Sequence, residues 1–393
     1  MPTTVLSNVR VFDGSGLSTS TTVVIEEAVI GAVGGTPPDG ADTVDGADTV
    51  DGADTVDGAD TVDGADTVDG ADTVDGADTV DGAGAVLLPG LFDAHVHMNS
   101  PDDLTELVAH GVTTGLDMAC FPAERMRSFR GKVPDIRSAG TPAIGPGGPH
   151  AKMPGMPREA LLTDPGQAED FVARRVAEGV DYVKIVIDGD LLDRATIEAV
   201  VAAGKAHGKL TVAHASSVDA FHRAVSSGAD VVTHAPRDGV LDEETIERMI
   251  SQRQVAVPTL AMMEAVSTAF NVPDGYRNAR ESVTAMHTAG VPILAGTDCF
   301  SGPGPLPDPV RHGSGLHHEL RLLVEAGLTG AEALRAATSL PARHFSLPDR
   351  GAVRPGLRAD LVLVDGDPLT DITVTSRILG VWANGVRQAH ASV

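Results

Sequence analysis

Between residues 86 and 349 the chain alternates, eight times over, between a short apolar run and a stretch that is mostly Ala- and Glu-rich with helical spacing. The runs are GLFDAHVHM, GVTTGLDMA, TPAIGPGG, DYVKIVID, LTVAHAS, DVVTHAP, VAVPTL and PILAGTD. The stretches include PGQAEDFVARRVAEG, RATIEAVVAAGKAHG, VDAFHRAVSSG, DEETIERMISQ and ARESVTAMHTAG. Short apolar runs bounded by turn residues read as strands buried on both faces, and strands that alternate with helices run parallel. Eight such units predict an α/β fold of the closed (β/α)₈ type, a TIM-like barrel. The competing architecture is a doubly wound open sheet. The count of eight weighs against it, as does the absence of a G-x-G-x-x-G or G-x-x-x-x-G-K-[ST] turn.

Active sites of such barrels form at the C-terminal ends of the strands. His95 and His97 close the first run, Lys184 lies in the fourth, His214 ends the fifth, His234 the sixth and Asp298 the eighth. A spacing of two puts His95 and His97 on one face of their strand, aimed into the barrel mouth. A single His beside an apolar strand is ordinarily a satisfied core or surface residue. Four histidines and an aspartate at corresponding strand ends point instead to a shared metal site. Neutral imidazole and carboxylate suit Zn²⁺, and open coordination positions let a bound water act as nucleophile. His110, His207, His222 and His287 fall in helix-like stretches and are expected to face solvent.

The chain ends carry a strand pattern, in TVLSNVRVF, TTVVIEEAVIGAV, ADLVLVDG and RILGVWANGVRQ. They predict a small β-sandwich domain built from residues 1–39 and 350–393, flanking a barrel at 86–349. Between them, residues 40–81 are seven tandem copies of GADTVD. A period of six admits a hexapeptide β-helix. One apolar residue larger than Ala per copy, and columns of stacked Asp, oppose it. An acidic surface loop that lengthens a hairpin is the expectation. The last copy, running into GAGAVLLPGL, reads as strand, turn and strand.

The net charge is −26, and the repeat accounts for 14 of the negative charges. The rest is an ordinary acidic chain without the clustered Lys and Arg that nucleic acid or an anionic membrane requires. No apolar run reaches the roughly 18 residues of a membrane span, and the N-terminus does not read as a signal peptide. Two cysteines, Cys120 and Cys299, cannot form a disulfide framework. A cytoplasmic protein with a small-molecule partner, and with neither nucleic acid nor membrane, is expected. A homo-oligomer stays open.

The motifs PGLFDAHVH (89–97), DYVKIV (181–186), VAHA (212–215), VTHA (232–235), AGTD (295–298) and GAVRPGLRADLVLVDGDPL (351–369) together resemble the metal-dependent amidohydrolase superfamily. Within it the chain is most similar to the imidazolonepropionase-like and prolidase-like branch. The resemblance covers nearly the whole chain outside the repeat. It implies two divalent metal ions, taken as Zn: His95, His97 and Asp298 hold one, and His214 and His234 the other. It also implies that Lys184 is carboxylated by carbon dioxide or bicarbonate to N6-carboxylysine and bridges the two, with a hydroxide as second bridge. A carbamate supplies two anionic oxygens, whereas an ammonium cannot ligate a cation. On its own residues, Lys184 reads as a salt-bridged lysine at a strand end. Asp298 is implied as the general acid/base that takes a proton from the attacking water and passes it to the leaving group.

Substrate contacts are sought near the rim. His150 lies in the Gly-rich GPGGPH loop, and Arg237, just beyond His234, is placed to meet a substrate carboxylate or a surface acid. Met262 and Met263 follow the seventh run, where prolidase-like relatives often have a tyrosine. They suit an adaptable apolar pocket or plain core packing. Cys120 and Cys299 end the second and eighth runs and read as pocket-lining or inert buried thiols. The function expected is hydrolysis of an amide-type C–N bond in a small molecule. The alternatives are a Xaa-Pro-type dipeptidase or carboxypeptidase, an isomerase, lyase or decarboxylase on the same metals, and an inactive structural or assembly protein.

Overall fold

The computed structural model describes residues 3–34, 73–74, 77–302 and 306–390. Barrel strands 1 to 7 are Leu91–His97, Val112–Asp117, Asp135–Ser138, Val183–Val186, Thr211–His214, Val231–Thr233 and Val255–Val257. Neighbouring strands pair in parallel, and strand 3 resumes at Ala143–Ile144 to pair with strand 4. The eighth segment, 292–298, forms no regular ladder. It is held by single bonds on both sides: Leu294 N–H donates to the Ala256 carbonyl at 2.8 Å, Ala94 N–H to the Ala295 carbonyl at 2.8 Å, and Asp298 N–H to the His95 carbonyl at 2.7 Å. These bonds close the barrel. A Cβ on Gly296 would lie 2.9 Å from the His95 nitrogen, so a glycine is what lets the eighth segment pass this close to strand 1.

The core explains where polar groups are allowed. Tyr182, Val212, Val231 and Val255 belong to one buried cluster inside the barrel. Tyr182, Val212 and Val231 precede Lys184, His214 and Thr233 by two residues, so these polar side chains stand on an apolar floor. The helices predicted between strands form, with starts fixed by side-chain caps: Asp193 accepts from Thr196 N–H, Ser217 from Ala220 N–H and Asp242 from Thr245 N–H. A larger cluster, including Phe171, Phe221, Val232 and Leu320, packs these helices on the outside of the strands.

Both chain ends join one nine-stranded sheet, seven strands of which run in the order Val386–Gln388, Ile378–Ala383, Leu361–Val364, Val86–Pro89, Thr3–Phe12, Leu17–Glu26 and Val29–Val33, with Ala77–Asp81 and Thr73–Val74 off this path. It wraps around its own core of Leu6, Val23, Ile25, Leu87, Leu361, Leu363 and Trp382. Alternate residues of the same strand, Val362 and Val364, face the barrel core instead. The (β/α)₈ barrel with a β-sandwich from both ends is therefore the fold.

Three details depart from the sequence reading. Strand 3 begins at Asp135, upstream of TPAIGPGG; DIRS gives no strand signal because it is mostly polar and opens on Asp, which strands disfavour. Here its charges are absorbed by ion pairs of Asp135 with Arg137 (2.9 Å) and Arg350 (2.8 Å). Val86–Pro89 belongs to the terminal sheet and not to the barrel, and the last repeat copy supplies a strand, Ala77–Asp81, parallel to Thr3–Ser7. The loop expected of residues 40–81 otherwise lies outside the described residues, apart from Thr73–Val74, which pairs with that strand. Finally, His110, His207, His222 and His287 are half-buried, not fully exposed. Each meets a neighbour: the Glu106 carbonyl (2.9 Å), Glu169 (2.7 Å), Asp242 (3.0 Å) and Glu332 (3.6 Å).

Two deletions follow from this sheet. Removing residues 40–75 spares the last copy and its strand. It should change stability by no more than about 1–2 kcal/mol, because closure entropy varies slowly with connection length. Removing residues 40–81 also strips the partner from Thr3–Ser7 and should lower the thermal midpoint well below that of the shorter deletion.

Candidate metal centre

The centre is assembled at the seam between strands 1 and 8. A bulge between Asp93 and Val96 shifts the register of strand 1. Both of its histidines then reach one carboxylate: His95 Nε2 lies 3.2 Å and His97 Nε2 2.9 Å from Asp298 Oδ1. His234 Nδ1 lies 3.8 Å from Asp298 Oδ2. One ligand atom from each of His95, His234 and Asp298 falls within 4.8 Å of the others. The rings of His214 and His234 are 4.3 Å apart, and those of His95 and His234 4.9 Å. Lys184 pairs with Val212, two residues before His214, so its side chain rises from below. Its Nζ donates to Thr233 Oγ1 at 3.0 Å. The six polar residues read at the strand ends thus converge. His234 and Asp298 both hold a left-handed backbone, with φ of 75° and 58°, conformations that non-glycine residues adopt at a cost.

Burial sets the charges. It drives His95 down to about 3 and holds His214 and His234 well below the ordinary imidazole range, so these three rings are neutral and carry free lone pairs. For His97 burial acts the same way but is outweighed by the Asp298 carboxylate, which raises it. Burial would raise Asp298 too, yet His95 and His97 hold it well below the usual carboxylate range. Lys184 is pushed down to about 7 by burial, against Asp298 and Asp117. Among the described residues it forms no ion pair with a carboxylate, so the salt-bridged lysine of the sequence reading is not what the fold provides. His95 Nδ1 is buried without a hydrogen-bond partner among the described residues. A buried orphan nitrogen, neutral imidazoles packed edge to face and an ionised carboxylate form a donor set that fits a divalent cation of zinc's character.

Several supporting residues escaped sequence reasoning. Asp93 is fully buried. It accepts from His95 N–H (3.1 Å), Thr297 N–H (3.0 Å) and the Thr297 hydroxyl (2.6 Å), tying strand 1 to the eighth segment beneath the ligands. Burial raises its carboxyl to about 7. Asp117 accepts from Met98 N–H at 3.0 Å and from the Ser138 hydroxyl, fixing the chain just after His97. His312 Nε2 meets the His97 carbonyl at 3.1 Å. The only sequence signal for these was the position of Asp93 two residues before His95 and of Thr297 before Asp298.

The substrate candidates separate. His150 stands beside the centre, its ring 4.9 Å from that of His214 and its Nδ1 3.5 Å from Asp188 Oδ2. Arg237 is anchored on the rim through its backbone, with N–H to the Ser216 carbonyl at 3.3 Å. Its Nε is buried without a hydrogen-bond partner among the described residues. Met262 and Met263 occupy the first turn of the helix Leu260–Ala269 and pack in the main core. Cys120 and Cys299 are buried free thiols, and burial raises both far above the range of a reactive thiolate.

Residues 86–387 match the amidohydrolase family, and the chain belongs to it. It is 30% identical over 327 residues to an uncharacterized protein of Mycobacterium tuberculosis, covering 72% of this chain and 80% of that one. It is 27% identical over 212 residues to the imidazolonepropionase of Rhodococcus jostii, covering 51% of this chain and 47% of that enzyme. A solved Xaa-Pro dipeptidase with methionine bound in its active site superposes with a TM-score of 0.75 at 20% identity, over 98% of this chain and 99% of that one. The protein is an enzyme of the class that acts on carbon–nitrogen bonds, in a family that is generally metal-dependent. No helix among the described residues is long and apolar enough to cross a membrane.

The Asp93 clamp yields a direct expectation. Asp93→Ala leaves the buried His95 and Thr297 N–H groups unpaired, at about 1–3 kcal/mol each, while the Thr297 hydroxyl keeps the His95 carbonyl at 3.5 Å. Denaturant unfolding of chelator-treated protein should therefore lose at least about 2 kcal/mol. A loss below about 1 kcal/mol would mean that the seam does not depend on this carboxylate.

Proposed function

We propose that the protein is a binuclear zinc hydrolase that cleaves an amide-type C–N bond in a small molecule bearing a carboxylate. The observation that carries the binuclear reading is Lys184, buried among histidines with no acid paired to it among the described residues. An amine lowered to about 7 is neutral in half its copies near that pH, and only the neutral amine attacks carbon dioxide. Carboxylated Lys184 would join the two halves of the site, His95, His97 and Asp298 on one side and His214 and His234 on the other. Two zinc ions, when bound, polarise the scissile carbonyl and lower the pKa of water.

The chain's own residues do the rest. Asp298 faces the open mouth with a carboxylate kept ionised, so it is able to take a proton from the attacking water and return it to the departing nitrogen. His150, beside His214, hydrogen-bonds the substrate on the open side. Arg237 pairs with the substrate carboxylate through a guanidinium that has no acid partner among the described residues. A Xaa-Pro dipeptide is the second substrate candidate, favoured by the likeness to the dipeptidase structure and by the unpaired Arg237. Two buried thiols fit a reducing, cytoplasmic setting.

Two substitutions test this. Asp298→Asn keeps size and one ligand oxygen but removes the base, so turnover should fall by roughly 10²-fold or more. Unchanged turnover would assign proton transfer to another group, His150 first. Arg237→Ala should raise KM about tenfold or more for amides bearing a carboxylate while leaving their neutral methyl esters little changed. Equal effects on both substrate sets would remove Arg237 from substrate recognition.

A further inference from the structure

The helix Leu260–Ala269 starts directly after strand 7, with Thr259 in its N-cap position. Threonine there ordinarily turns its hydroxyl to the helix's own first N–H groups. This one does not cap its helix. Its Oγ1 lies 2.8 Å from His234 Nδ1 instead. The residue is fully buried and holds φ 49° and ψ 49°, a left-handed conformation that β-branched side chains avoid.

The N–H groups that Thr259 leaves open are taken by a different helix. Glu319, on Ser314–Glu325, accepts from Leu260 N–H at 3.0 Å through Oε1 and from Ala261 N–H at 2.7 Å through Oε2. Glu319 is completely buried and makes no ion pair among the described residues. A buried carboxylate is costly unless hydrogen-bonded, so apolar packing does not account for it. The two convergent N–H groups at the helix start give its oxygens partners, although burial still raises the carboxyl to about 8.

We infer that Thr259 and Glu319 are positioning residues for His234. Glu319 supplies the helix cap from outside, which frees the Thr259 hydroxyl to accept the Nδ1–H of His234 and leaves Nε2 with the lone pair offered to a metal ion. The inference rests on the metal-centre reading above. The competing acceptor for Nδ1 is Asp298 Oδ2, at 3.8 Å against 2.8 Å for Thr259. Fixing the ring through Nδ1 sets the tautomer and so which nitrogen carries the free lone pair, and outer partners of this kind commonly change metal affinity by about 10- to 100-fold.

The test uses the full chain as purified, with Thr259→Val, Thr259→Ser and Glu319→Gln. Metal per chain is measured across a dipicolinate series, alongside kcat, KM and thermal midpoint. Side-chain ¹⁵N histidine spectra are recorded on metal-free protein, with His234 assigned from His234→Gln. Thr259→Val should lose metal at about tenfold or more lower chelator and drop kcat with KM little moved, and Thr259→Ser should restore both. Glu319→Gln should shift the chelator curve in the same direction by less. His234 should be the Nδ1–H tautomer in the wild type and in Thr259→Ser, but not in Thr259→Val. If Thr259→Val does not fold, Glu319→Gln carries the same readouts. A chelator curve and tautomer that match the wild type in these variants overturn the inference, as does a Glu319→Gln effect confined to the thermal midpoint. A wild type that binds no metal would refute the metal-centre reading, and the tautomer spectra would still decide this one: an Nε2–H His234 overturns it.

Discussion

The seam between the first strand and the eighth segment is the constraint on which the site depends. Among the described residues only Cys299–Phe300 makes a regular parallel ladder with strand 1, against Val96 and His97. Before it the seam is stitched by the His95 carbonyl to Asp298 N–H, by the Ala295 carbonyl to Ala94 N–H and by the buried Asp93 carboxylate on Thr297. That irregularity brings the backbone of Asp298 against that of His95, where two regular strands would hold their side chains farther apart. Gly296 makes the approach sterically feasible. The left-handed φ of Asp298 then turns its carboxylate toward both histidines of strand 1. Local strain at this point is held by the clamp beneath it.

Electrostatics follows from the floor under the seam. Tyr182, Val212, Val231 and Val255 keep water out from below. The desolvation that results holds imidazoles neutral and brings the Lys184 amine near the point where it loses its proton. The same apolar layer that stabilises the barrel therefore sets the protonation states that a metal site needs. Asp298 remains ionised within that layer because two imidazoles face it.

Much of this was legible in the residues. The barrel followed from eight alternations, because parallel strands with helical crossovers leave few ways to arrange such a pattern, and the four histidines and Asp298 stood out at the ends of the runs, whereas Lys184 entered the centre only through the family resemblance. What escaped lies where local signal is weak or absent. DIRS looks polar until Arg350, far along the chain, neutralises Asp135. Glu319 reads as one more acid on an amphipathic helix, and its role depends on a contact with the start of the helix after strand 7, some 58 residues upstream. The last repeat copy is identical to the others in sequence. It is told apart by the strand Thr3–Ser7 beside it and by the Val86–Pro89 strand that follows it.

The most direct measurement is the metal content per chain of protein prepared with zinc and bicarbonate, compared between the wild type and Lys184→Ala. Two ions in the wild type and one or none in the variant are expected of two half-sites joined by a carboxylated Lys184. A single ion in the wild type, retained in full by Lys184→Ala, would contradict the binuclear centre.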